Sequence, residues 1–234
     1  MGTTTTTITE PASPTALLRL LQLGSAALPI GAFAYSQGLE QSVALGEVRD
    51  RASAEAWVTG VFEHSVLSAD VPLLARLYRA WQRGAGTEVR TYNDFLFACR
   101  GSAELRAEER QLGAALARLL WRLGVAEAEA WIRDERVTFA NAFALAAVSW
   151  QIPLRDAALG YVFAWAEAQV GAATRLIPLG QSDAQRVLSA LIEHAGRGID
   201  AALERGEAEI GSATPGQALL SALHETQYSR LFRS

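Results

Sequence analysis

From Pro14 onward, apolar residues recur at three- and four-residue intervals, with alanine and leucine dominant and few clusters of β-branched residues. That spacing lines side chains along one face of a helix, whereas a strand needs strict alternation, so the chain is confined to helices that bury their apolar faces together. Trp57, Val61, Phe62 and Val66 share such a face. Pro72 interrupts the pattern. Asp70, just before it, can accept hydrogen bonds from free main-chain N–H groups and start a helix carrying Leu73, Leu74, Leu77, Tyr78 and Trp81, so this stretch reads as two helices or one kinked helix. Beyond the turn Gly84-Ala85-Gly86, the residues Leu105, Leu112, Leu116, Leu119, Leu120 and Leu123 keep the spacing, with Glu108, Glu109 and Arg110 expected on the outer side. Gly124 stops that helix. Residues 129–150 and 154–174, separated by Ile152-Pro153, read as two strongly apolar helices central to the core. Ser182 and Asp183 offer a cap for a helix through His194 whose end Gly196 and Gly198 loosen, and a last helix begins near Thr214-Pro215. With no internal repeat and no sustained heptad, the expected fold is all-α, an irregular helical bundle of about eight to ten helices. Residues 1–13 are expected to form a disordered threonine-rich tail and residues 14–234 a single domain.

Composition narrows the function. Half of the 234 residues are hydrophobic, enough for one core without disulfides or structural metals. A net charge of −4 supplies no field to draw phosphate backbones or anionic lipid, so nucleic acid and membrane surfaces are not expected partners. The longest apolar stretch, 137–150, is interrupted by Asn141 and Ser149 and has the length of a buried core helix, too short for a membrane span. All 21 basic residues are arginine. Without lysine there is no phosphate-binding loop ending in Gly-Lys-Ser/Thr and no Schiff base, which excludes an ordinary NTPase and a pyridoxal enzyme. Cys99, the single cysteine, follows the apolar run Phe95, Leu96, Phe97, Ala98 and is expected to be buried rather than reactive. The lack of a disulfide framework suits a reducing cytosol, and the threonine-rich start has no basic residue or continuous apolar stretch of a secretory signal, so a cytoplasmic location is expected.

Chemistry is sparse. His64, His194 and His224 are far apart and belong to no metal-binding spacing; each adjoins a glutamate (Glu63, Glu193, Glu225), but neighbours on a helix point about 100° apart and rarely share a ligand. No nucleophile motif occurs, so no catalytic residue and no resident cofactor or metal is expected. Two segments are costly for a bundle and are not explained by packing alone. In 28–40, Pro29, Gly31 and Gly38 hold Phe33 and Tyr35 on a rigid turn before the capped start of the next helix at Ser36, Leu39 and Glu40. In 224–234, the chain carries Tyr228, Arg230, Phe232 and Arg233 where small polar residues are usual, and these types are enriched at interface hot spots. The bland alternative is a last helix packing back on its own core.

At these residues the chain resembles the UreF family of urease accessory proteins. The likeness is carried by Leu20-Leu21-Gln22-Leu23 leading into Ala27-Leu28-Pro29-Ile30-Gly31 and Tyr35-Ser36-Gln37-Gly38-Leu39-Glu40, by Arg175-Leu176-Ile177-Pro178-Leu179-Gly180-Gln181-Ser182-Asp183, and by His224-Glu225-Thr226-Gln227-Tyr228-Ser229-Arg230-Leu231-Phe232-Arg233-Ser234. Gly31-Ala32 stands where many relatives resemble a double glycine. The resemblance implies an all-α scaffold that pairs with itself and recruits UreD (also called UreH) and the GTPase UreG to the urease apoprotein for nickel insertion, with nickel handled transiently by the complex. Partner-binding residues would be Leu28, Pro29, Gly31, Tyr35, Ser36, Gly38 and Glu40, then Arg175, Pro178, Gly180 and Gln181, and finally His224, Glu225, Gln227, Tyr228, Arg230, Phe232 and Arg233 within a partner-binding segment 221–234. A second implication is a regulator of GTP hydrolysis by UreG acting through an arginine such as Arg175 or Arg230. A helical hydrolase or metal enzyme is the remote third.

Overall fold

The computed structural model describes residues 12–234; the threonine-rich stretch 1–11 lies outside the described residues. Among the described residues there are ten α-helices and no strand. Helix α1 (Pro14–Leu23) starts at Ser13, whose hydroxyl accepts from the Ala16 N–H, with proline at the first helical position where its missing N–H is harmless. After an irregular stretch comes α2 (Leu39–Ala44), then α3 (Arg51–Val61), which opens with a reciprocal cap between Asp50 and Ser53.

Helix α3 passes through a π-helical stretch, Phe62–Asp70, directly into α4 (Val71–Gln82). Asp70 and Val71 keep right-handed helical dihedrals, so of the two expectations at Pro72 the single rod is correct. The wider π turns absorb a residue that lacks an N–H and would clash with the carbonyl four positions back. Because the rod does not break, Asp70 has no helix start to cap, and its carboxylate turns inward to other partners.

Apolar spacing does not single out helix α5 (Gly86–Ala98), because its buried face includes a polar residue, Asn93. Asn93 donates to the Arg136 carbonyl (2.9 Å) and accepts from the Thr138 N–H (2.9 Å). Helix α6 (Ala103–Arg122) ends at Gly124, φ 91°, as expected. The expected helix over 129–150 is two pieces: a 3-10 turn, Ala126–Trp131, and α7 (Phe139–Ser149). The charged run Arg133-Asp134-Glu135-Arg136 cannot enter a helix enclosed on all sides, and Thr138 caps the new start through the Asn141 N–H.

Helix α8 (Leu154–Leu176) matches expectation. Helix α9 (Gln181–Leu203) starts at Gly180 rather than Ser182 or Asp183 and runs through Gly196 and Gly198. Those glycines do not loosen an end: a Cβ on Gly198 would lie 2.8 Å from Leu67 Cδ1, so the small residue lets α9 approach the π stretch. Helix α10 (Pro215–His224) closes the list.

Helix α7 is the hub, with Ala140 to Ala147 all buried and α4, α6 and α8 packed around it. Where α6 crosses its start, Gly113 leaves room for the backbone: a Cβ there would sit 2.8 Å from the Thr138 carbonyl. Gly113→Ala is expected to lower stability by about 1–3 kcal/mol through overpacking. Gly171→Ala, in α8 with nothing within 4 Å of the new carbon, is expected to be neutral or slightly stabilising. Thermal melts of the two variants check this; equal melting points would contradict the close crossing.

Candidate partner-binding site

The first and last conspicuous segments are bound to one another. Glu40, in the first turn of α2, accepts from the main-chain N–H groups of Leu231 (2.7 Å) and Phe232 (2.9 Å) and faces Nε2 of His224 (3.0 Å). The other ring nitrogen, Nδ1, lies 2.8 Å from Glu104 in the first turn of α6, and Arg230 reaches the second oxygen of Glu104 (3.0 Å). His224 is fully buried at the end of α10. Each ring nitrogen thus lies within hydrogen-bonding distance of a carboxylate, one from α2 and one from α6. The glutamate beside it in sequence, Glu225, instead accepts from the Ala103 N–H.

Two glycines make this approach possible. Gly31 (φ 82°) and Gly38 (φ 87°) hold left-handed dihedrals, and a Cβ on Gly38 would meet Ser221 N at 3.1 Å and the Gln217 carbonyl at 3.2 Å. Ser102 and Ser221 join hydroxyls at 2.7 Å, fastening α10 to the start of α6. Further along, the Arg233 N–H donates to the Ala34 carbonyl (2.8 Å), and both the N–H and hydroxyl of Ser36 donate to the main-chain oxygen of Ser234. Tyr35 and Arg233 both donate to the side-chain oxygen Oε1 of Gln111.

Of the third segment only Arg175 joins this assembly: it donates to the Phe33 carbonyl and stacks 4.3 Å from the Phe232 ring centre. Pro178, Gly180 and Gln181 lie exposed at the α8–α9 connection, and no hydrogen bond joins them to the other two segments. Leu28, Tyr35, Ser36, Gly38, Glu40, His224 and Phe232 are buried, whereas Pro29, Arg175, Glu225, Tyr228, Arg230 and Arg233 are exposed, and Gly31 and Gln227 are half-buried. Tyr228 projects completely into solvent and Leu231 is 63% exposed. Thus the segment docks by backbone, Phe232 and His224 while offering Tyr228, Arg230 and Leu231 outward.

Beneath it lies a polar network that the periodicity did not disclose. Glu108 and Glu109, expected on the outer side of α6, are buried, because Leu105, Glu108, Glu109 and Leu112 share the inward face. Arg100 forms a two-pronged ion pair with Asp70 (2.9 Å on each prong) and a further pair with Glu109. Burial would lower the Arg100 pKa, yet Asp70 and Glu109 hold it well above the ordinary value. Tyr161 donates to Asp70 (3.2 Å), and Glu109 accepts from the Phe139 N–H (2.8 Å) at the start of α7. Glu108 accepts from Gln37 (2.8 Å) and from the Ser234 hydroxyl (3.1 Å). The only signal available in sequence was an acidic pair spaced like core leucines.

Cys99 is half-buried, and burial pushes its thiol pKa up, which does not favour reactivity. His194 pairs with Glu63 (3.1 Å) at the surface and His64 is exposed. Among the described residues no three His, Cys, Asp or Glu side chains sit together as metal ligands.

The sequence profile of the UreF family matches residues 48–192. The urease accessory protein UreF of Alkalilimnicola ehrlichii is 46% identical over 92% of this chain and 95% of its own length. Those of Marinobacter nauticus (45% identical, 98% of this chain and 99% of the relative) and Pseudomonas putida strain W619 (47%, 95% and 99%) are similar throughout.

Burial raises the Glu108 pKa from 4.5 to about 7 even though Gln37 and Ser234 donate to it. The folded state therefore holds this proton to higher pH than the unfolded chain. Its contribution to stability, up to about 3 kcal/mol, is complete below about pH 4.5 and lost as pH rises through about 7. Denaturant titrations at pH 5.5 and 7.5 are expected to show Glu108→Gln losing less stability than wild type over that interval. Parallel pH dependences would remove Glu108 as the source.

Proposed function

The chain belongs to the UreF family of urease accessory proteins, and on that premise we propose that it acts as a scaffold that recruits UreD (UreH) and the GTPase UreG to the urease apoprotein for nickel insertion. In this reading the scaffold pairs with itself, works in the cytoplasm, catalyses nothing and holds nickel at most in transit through the complex. The observation that supports it most is the form of the 224–234 segment. It is anchored by Glu40, His224 and Phe232, and it turns a fully exposed tyrosine, an exposed leucine and an arginine outward. A large aromatic held on a fixed backbone loses little conformational entropy on binding, which favours a partner contact over a free tail.

The arginine-mediated regulation of GTP hydrolysis is the second reading. Arg175 is occupied by the Phe33 carbonyl and the Phe232 ring, and Arg230 by Glu104, so either guanidinium would have to leave those contacts to reach a partner's nucleotide. That weighs in favour of the scaffold.

Co-purification of the tagged chain with UreD and UreG tests the proposal. Loss of residues 221–234 is expected to abolish capture. Because that deletion also removes buried groups, Tyr228→Ala with Leu231→Ala, which alters only outward side chains, is the sharper probe and is expected to weaken capture at least tenfold. Undiminished capture by both variants would sink the tail-docking reading.

A further inference from the structure

We propose that the open groove between the 30–35 turn, α6 and the loop 132–135 is a docking site for an acidic segment of a protein partner, with an apolar side chain of that segment seated on Phe33. This rests on the reading of the chain as a protein-recruiting scaffold and adds a second contact surface beside the tail. The groove measures ≈ 440 Å³ and collects four arginines, Arg110, Arg118, Arg133 and Arg233, in a chain whose net charge is −4. Its two acids are already neutralised, Asp134 by Arg90 (3.0 Å) and Glu135 by Arg110 (2.6 Å). Arg118, Arg133 and Arg233 are exposed with no carboxylate within 4 Å among the described residues, and the Arg233 guanidinium donates to the Gln111 side-chain oxygen at 3.3 Å. These guanidiniums arrive from α6, the loop after it and the last residues of the chain, so tertiary packing gathers them onto one hollow.

Phe33, 68% exposed, supplies an apolar wall at the same hollow. A planar guanidinium pairs best with a carboxylate in two-pronged geometry, and arginine beside an aromatic is the composition of protein interfaces. Nucleic acid fits less well, since phosphate tracking needs an extended basic track and the net charge of this chain opposes it. Arg233 belongs to the docked tail, so the groove is complete only with the tail in place.

The test is fluorescence anisotropy with a labelled peptide of alternating glutamate and leucine, at low salt because exposed ion pairs are screened. The wild-type chain is expected to bind it, R118A/R133A about tenfold more weakly, and the charge-matched control R49A/R186A, neither of whose sites lines the groove, as wild type. Absence of peptide binding, equal losses in both double variants, or tighter binding of a single-stranded RNA oligonucleotide than of the peptide would overturn the assignment. If R118A/R133A binds the peptide as wild type while the tail variants lose UreD and UreG, the groove falls and the scaffold reading stands.

Discussion

A largely buried guanidinium holds this bundle in register. Arg100, between α5 and α6, is gripped by Asp70 from the end of the π stretch and by Glu109 of α6. The same carboxylates receive Tyr161 of α8 and the first N–H of α7. Four helices thus meet at one charge, and none can slide along another without stranding it. Such a cluster contributes little net stability over an apolar equivalent, but loss of a single member leaves an uncompensated buried ion. That asymmetry suits a function in specifying one packing among the many that Ala- and Leu-rich faces would tolerate.

The π stretch follows from the same constraint. Wider turns carry the rod past Pro72 without a break, and that continuity leaves Asp70 facing inward at the depth of Arg100 rather than serving as a cap. Glu108, one residue from Glu109, extends the polar layer toward Gln37 and Ser234, so the core network and the docking of the last residues share a wall of α6. Glu40 repeats the device on the other side: one carboxylate meets two successive main-chain N–H groups and a buried imidazole. The tail is therefore held by groups that belong to the bundle itself. What it offers outward is decided by which of its side chains those anchors leave free.

The helical class, the close of α6 at Gly124 and the family could be read from residue order, because each depends on local spacing or on motifs short enough to be seen directly. The helix expected over 129–150 failed where four consecutive charged residues met an enclosed position, a conflict that apolar counting does not weigh. Glu108 and Glu109 read as outward-facing because charge is usually solvated, although their spacing from Leu105 and Leu112 puts them on the inward face.

The sequence by itself determined that this chain is helical, that two aromatic-bearing segments are exceptional, one for its glycines and proline and the other for its arginines, and that they resemble those of a known family. Only the tertiary structure decided that these segments hold each other. The carboxylate of Glu40 and the ring of His224 are 184 positions apart, and nothing in local periodicity specifies a partner at that distance. Whether a glutamate is a solvated surface charge or a buried anchor depends on which helix packs over it, and packing is a property of the folded whole.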